Sequence, residues 1–579
     1  MRPTRPVRFL LLALLGLVVL GGAWVGWQAW QVNRDLSAAA ADAQALQAAV
    51  QAGNDVGTDA ALAALQDHSA KAAERTQGKT WSLLTHVPSF GDDARGVRTV
   101  SGVMADLSDD IEPLTTTATD LEAILPRDGQ IPLKAVAALQ KPVAQGAVAF
   151  GRADERLSGE DSSGFIQPLK TKYRDLAKQV SDVASGLASA DTALRVMPAM
   201  LGQQGPRNYL LVFQNNAEIR ATGGLPGAVS VVRAEAGKVE MTRQVATNTI
   251  PKTAKPILPL TKAEYGIYDT LLGTYFVDSN FTADFPRTAE LMKAHWENVY
   301  DDDIDGVLSL DPVALSYILK ATGPIQVGDV ALSSENVVDE LLHQTYLRLP
   351  VPIEQDAFFR EVARAVFERV SSGVGSPEEL IRALARGTDE HRLYVHSFDE
   401  EQQLLSGTQV AGELVRDPKA APQVGFYIND ATGAKMSYFL RYDVQVDATY
   451  CKDGTQGLSG TAHLTSAAPE DAAKLPDYIT GAGNYGTKPG AQTVLINLYA
   501  PVGGTVSDVQ LNGEALEITT VVEEGRPVAL LLAQLPPRFT VDLSWRMTTG
   551  ANQRGDTEVS VTPGVVAGSS SSHAPSACF

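Results

Sequence analysis

Directly after the apolar run Tyr209 to Phe213, one short segment carries Gln214, Asn215, Asn216, Glu218 and Arg220. Amide side chains donate and accept, a carboxylate accepts, and a guanidinium is a planar fork of donors that grips a phosphate through two oxygens. Such a cluster at a strand end is where α/β folds present groups to a ligand. Gly223, Gly224 and Gly227 follow it. No helix pattern opens behind these glycines, so the helix N-terminus that would complete a phosphate cradle is missing. They are expected to turn the chain into the next strand. Asn215, Asn216, Glu218 and above all Arg220 remain as ligand-binding candidates.

A second polar stretch, DSNFTADFPRTAE from Asp278 to Glu290, ends a loop and opens a helix at Pro286. Asp284 is placed to cap that helix, with Asp278 and Asn280 making turn hydrogen bonds. The alternative is that Asp278 and Asp284, with Arg287 nearby, hold a cation such as magnesium or a phosphate group. The DDDIDG turn at Asp301 to Gly306 begins like a calcium loop. Pro312 stands where its bidentate glutamate belongs, so it reads as a solvated acidic turn. His391 and His396 lack a matching acid and read as surface or packing histidines. No Walker loop, His-Glu-x-x-His or Gly-x-Ser-x-Gly occurs, which leaves the common nucleotide-binding and hydrolase classes without support. Cys451 and Cys578 are too few for a cysteine-rich metal site. Either they pair and tie the tail to the last domain, or they are two free thiols.

These residues must be positioned by more than one core, because the chain has 579 residues. Its 44% hydrophobic and 20% charged content is that of folded material. A net charge of -20 opposes nucleic-acid binding. Arg2, Arg5 and Arg8 precede an uncharged stretch at 9–30, long enough to span roughly 30 Å of hydrocarbon as a helix. The arginines put residues 1–8 in the cytoplasm, and Trp24, Trp27 and Trp30 at the far interface. Apolarity continuing past Gly21-Gly22-Ala23 favours an uncleaved anchor over a signal peptide. Residues 31–205 follow as an extracytoplasmic, all-α bundle or coiled-coil stalk. One of its seams runs Leu169, Tyr173, Leu176, Val180, Val183, Leu187, and Pro113 should kink another. Strands alternating with helices predict an α/β domain over 206–420. Short alternating strands predict an immunoglobulin-like β-sandwich over 421–564, before a flexible tail at 565–579.

YLLVFQNNAEIRATGGLPG, DSNFTADFP, DGVLSLDPVALSYILKATGPI and GFYINDATGAKMSYFLRYDV resemble, in this order, the bacterial family called domain of unknown function 4012. WSLLTHVPSFGDDARGVRTV, Trp81 to Val100, resembles its upstream region. The resemblance implies a membrane-anchored, exported protein of Gram-positive bacteria, often associated with surface polysaccharide genes, and implies no particular activity. NYLLVFQNNAEIR and DGVLSLDPVALSYILKATGPI are also similar to the LytR-CpsA-Psr domain. That family transfers polyprenyl-pyrophosphate-linked glycopolymers to the cell wall, with arginines on the pyrophosphate and carboxylates on magnesium. This similarity implies a LytR-CpsA-Psr-like α/β fold with Arg220 near a phosphate-binding arginine. Arg360 and Arg364 in QDAFFREVARAVFERV are the nearest counterparts of a later arginine-rich helix, where Phe358 and Phe359 replace polar residues and the Arg-Gln pair is absent.

The leading expectation is a membrane-anchored extracytoplasmic protein of cell-envelope polysaccharide assembly or export, binding a polyprenyl-linked glycan through the α/β domain. The alternatives are a phosphotransferase using Arg220, Arg360 or Arg364 and magnesium on Asp278 or Asp284, and a surface scaffold or adhesin acting through the sandwich. An apolar tunnel ending at Arg220 would favour lipid binding, and a filled core there a scaffold.

Overall fold

The computed structural model describes residues 5–51, 54–88, 90–118, 121–127, 129–373, 375–568 and 571–578, with the side chains of 5–25, 51, 116–118, 121–122 and 571 outside the described set. The chain forms two compact units, Met1–Ile124 with Lys134–Met197, and Leu125–Leu133 with Pro198–Phe579.

The first unit is helical. Its long helices are Arg5–Gln51, Asp55–Gln77, Gly91–Asp110, Leu133–Ser158 and Gln167–Met200. Alanine-rich sequence favours helix, and tertiary burial of one apolar stripe supplies most of its stability. Ala39 and Leu46 pack on Leu62 and Leu65, and Val103 packs with Leu157, Phe165, Tyr173 and Val180. At Pro113 the expected kink is a break: one helix ends at Asp110 and the next begins at Glu112. Among the described residues no helix is long and apolar enough to cross a membrane, and the side chains of the expected span at 9–30 lie outside the described set up to residue 25.

The second unit is rich in sheet. Strands β1 (Arg207–Arg220), β2 (Gly223–Glu235), β3 (Lys238–Ala246), β4 (Gly306–Leu310) and β5 (Leu393–Ser397) form one sheet in the order β3-β2-β1-β4-β5. Only β1 and β4 pair in parallel. β2 and β3 meet at Ala236-Gly237, in a hairpin whose strands GAVSVV and KVEMTRQV flank an Ala-Glu-Ala-Gly turn. Four helices of this part, Phe285–Glu297, Pro312–Thr322, Pro352–Ser371 and Pro377–Asp389, carry proline within their first two positions. There the missing N–H costs nothing and the fixed φ starts the helix. Residues 125–133, read as part of the stalk, instead join this unit: Ile131 N donates to Gly237 O at 2.8 Å.

From Gln423 onward two sheets, of five and six strands, close on a shared core that includes Phe426, Ile428, Leu458, Leu464, Ile496 and Trp545. All their pairings are antiparallel except Thr557–Val561 on Gln423–Asp430. This sandwich and the α/β part are not independent cores. Ala221, Tyr268 and Leu272 share one buried cluster with Tyr427, Tyr499 and Val528. Arg392, fully buried, donates to Asp311 at 2.8 Å, to Glu390 at 2.7 Å, and to the carbonyls of Gly564 and Val566 at 2.8 and 2.7 Å.

Within the tail read as flexible, described residues are tied down. Ser571–Ala574 adds an edge strand to Thr557–Val561, and Cys451 and Cys578 form a disulfide across 127 residues of sequence. Closing so long a loop restricts the unfolded chain. Replacing both cysteines with serine should cost about 2–4 kcal/mol. Thermal melts should then coincide with those of the reduced wild-type protein.

Candidate functional site

β1 does not turn after Phe213 but runs on to Arg220 through a bulge. Asn215 faces Leu225 and Ile219 faces Gly224, so residues 216–218 stand out of the ladder. A bulge re-aims the side chains around it. Gly224 permits the close approach, since a Cβ there would lie 2.2 Å from the Asn215 carbonyl carbon. Gln214 accepts from Gly224 N at 2.8 Å and Asn280 donates to Gly224 O at 2.7 Å, so both amides hold this reversal. The donors freed from the ladder find side chains: Ala217 N the Asn215 carboxamide, Ile219 N the Ser437 hydroxyl, and Ala221 N the Asn429 carboxamide.

The bulge places Asn215, Glu218 and Arg220 on the wall of a cavity of about 680 Å³. One part of that wall is apolar, built by Phe213, Leu310, Leu315, Phe359, Val362 and Val366. Another is polar, built by Glu218, Arg220, Asp278, Asp430 and Lys435, with Lys252 and several tyrosines beside them. The sandwich supplies Asp430, Lys435, Tyr478 and Tyr485, so the site belongs to both halves of the unit.

Arg220 is 5% exposed. Its Nη1 donates to Ile219 O at 3.1 Å and its guanidinium lies 4.5 Å from the centre of the Phe281 ring. Nη2 stands 3.8 Å from Asp278 Oδ1, beyond hydrogen-bond reach, and Nε has no partner. The Nε and Nη2 edge of the fork is thus under-satisfied. Lys435 is buried against Glu218, and the rings of Tyr346 and Tyr478 lie 5.3 and 5.1 Å from its ammonium. Burial pushes the Lys435 ammonium down, but Glu218, by charge and hydrogen bond, together with Tyr346 and Tyr478 outweighs it and holds Lys435 above its ordinary range. Burial raises Asp278, against the pull of Arg220 and Lys252. It also pushes Asp430 up to about 6. Asp430 Oδ2 accepts from Thr432 N and Gly433 N at 3.1 and 2.7 Å, while Oδ1 has no partner.

The remaining sequence candidates lie elsewhere. Asn216 turns away from the cavity and donates to Asp311 at 2.9 Å; Asp311 caps the helix Pro312–Thr322 through Ala314 N at 2.7 Å. Asp284 sits at the N-cap position of Phe285–Glu297, but its carboxylate makes no capping bond and accepts from Leu414 N and Arg416 at 3.1 and 2.6 Å. Arg287 pairs with Glu264 and Glu290. Arg364 is exposed between Glu361 and Glu368, and Arg360 is off the cavity wall, where Phe359, Val362 and Ala363 of the same helix stand. Asp278 and Asp284 each face their own arginine, and among the described residues no three His, Cys, Asp or Glu side chains are grouped to hold a metal. The donor set does not fit a magnesium ion shared by these two aspartates. Asp430 and Lys435 were legible only as a pattern: in YINDATGAK an apolar run passes into polar residues and glycine, as in VFQNNAEIRATGG.

The fold and its cavity define an α/β sheet sealed along one strand end by a β-sandwich. Residues 204–346 match the family model described as Protein of unknown function (DUF4012), so this segment, with β1, β2, Asp278 and β4, belongs to the family that its motifs resemble. No curated protein and no solved structure matches the chain.

Two outcomes test the electrostatics. Glu218→Gln, which strands a buried ammonium, should destabilise the unit by about 3 kcal/mol, and adding Lys435→Met should restore most of it in urea titrations. Asp430 has a folded pKa above its unfolded one, so its contribution is favourable at low pH and is lost as pH rises through about 6. Asp430→Asn should therefore gain stability over wild type between pH 4 and 6 by about 3 kcal/mol, and the gain should level off above that.

Proposed function

We propose that this chain is a membrane-anchored, exported protein of cell-envelope polysaccharide assembly or export that holds a polyprenyl-pyrophosphate-linked glycan in its cavity. The observation that carries the reading is a cavity of about 680 Å³ that joins apolar walls to a polar wall lined by a buried arginine, Arg220. Its size falls among small-molecule sites, roughly 300–1,000 Å³. The apolar wall suits an isoprenoid chain. The Arg220 guanidinium suits a phosphate oxygen at Nη2, in the place that Asp278 only approaches. Lys252 on the same wall adds a second cation.

Location rests on the arginines ahead of the apolar stretch at 9–30 and on the disulfide, a bond typical of oxidising compartments. We read the α/β part as LytR-CpsA-Psr-like and the sandwich as immunoglobulin-like. Binding is favoured over group transfer because Arg360, Arg364 and Asp284 do not converge on Arg220.

The test is full-length protein in nanodiscs, titrated with a long-chain polyprenyl pyrophosphate and read by native mass spectrometry. Wild type should retain the lipid. Arg220→Ala should weaken retention at least about tenfold, the loss of one charge-assisted contact. Ala363→Trp, which fills the apolar wall, should abolish it. Retention unchanged in both variants, with melting curves intact, would reject the reading.

A further inference from the structure

At the polar part of the cavity two tyrosines stand in the open: Tyr478 is 45% and Tyr485 is 72% exposed, although both line the cavity. An exposed tyrosine on a loop is ordinarily unremarkable, but these two are held in place. The Tyr485 ring lies over Gly433, where a Cβ would come within 2.5 Å of it. Tyr478 lies above the Lys435 ammonium and 5.7 Å from the Tyr346 ring. Both flank the turn that carries Asp430, a residue that lines the cavity and whose Oδ1 is buried and unpartnered. Tyr275, Tyr485, Glu218 and Asp278 all line the cavity and stand in one neighbourhood.

An open aromatic face beside carboxylate acceptors is the chemistry that recognises a pyranose, whose C–H face packs on the ring while its hydroxyls donate to oxygen. A tyrosine offers that large amphipathic face with little entropy to lose. An anionic bilayer surface fits less well. The five carboxylates that line the cavity, Glu218, Asp278, Asp311, Asp356 and Asp430, outnumber its three cations, Arg220, Lys252 and Lys435.

We infer that Tyr478 and Tyr485, with Asp430 behind them, form a sugar-binding subsite at the polar part of the cavity, taking the first sugars of the ligand. The inference rests on the reading of the cavity as a lipid-linked glycan site, and its test separates the two.

Full-length wild type, Tyr485→Ala, Tyr478→Ala and Tyr485→Trp in nanodiscs are titrated with polyprenyl pyrophosphate and with the same lipid carrying a disaccharide. Each alanine variant should lose about tenfold on the glycosylated lipid, while sugar-free lipid binding stays within twofold and Tyr485→Trp retains both. Equal losses on both lipids, or no loss on the glycosylated one, would overturn the subsite. So would a drop in the alanine variants' binding to phosphatidylglycerol vesicles, which would make the tyrosines a membrane contact. If wild type binds neither lipid, the cavity reading fails by itself. Soluble hexose and N-acetylhexosamine oligosaccharides then decide the subsite: binding lost in Tyr485→Ala upholds it, and no binding by wild type overturns it.

Discussion

The second unit depends on a bulge in β1 whose own donor Ala217 N is met by Asn215 and whose flanking donors are met from outside the sheet. A buried N–H without a partner is expensive, so a bulge in a buried strand survives only where other groups replace the lost ladder bonds. Here Ser437 and Asn429 do so for Ile219 and Ala221, while Thr562 donates to the Ala221 carbonyl. All three come from the sandwich. The sandwich is therefore required for the conformation of β1, and its packing on the α/β part creates the cavity between them.

The same constraint governs the charges. Arg220, Asp430, Lys435 and most of Glu218 are taken out of water, and a buried charge is tolerable only beside its opposite. Glu218 and Lys435 meet across the two halves of the unit, so the pair also registers one half against the other. Arg220 is the exception. It has a carbonyl, a ring and a distant carboxylate, and still keeps an edge unpaired. A buried guanidinium left in that state marks the place where a ligand oxygen would bring the largest gain.

Much of this was legible in advance. The helical unit follows from an alanine-rich, 3.5-residue pattern, and β1 and the β2–β3 hairpin from apolar runs around a turn. The bulge was not legible, because QNNAEIR carries the same polar residues that make a turn; only pairing with Leu225 and Gly224 distinguishes the two. Asp284 stood where a cap belongs, yet Arg416 and Leu414 N offered its carboxylate a better set of donors than the helix end. The serine-rich tail carries no strand pattern, and its order comes from a disulfide and an edge pairing that are both long-range.

Local chemistry, then, was in the sequence alone: which segments bury apolar faces, where the helices begin, and which short segment gathers donors and one fixed positive charge. The tertiary structure alone decided which of those groups share a space. Asp430, Lys435, Tyr478 and Tyr485 lie more than two hundred residues beyond Arg220, and nothing in the composition of either stretch assigns it to the other. They meet because Ser437 and Asn429 complete the hydrogen bonds of a bulged strand, and a hydrogen-bond vacancy in one part of a chain can be matched to its donor or acceptor in another only once the chain is folded.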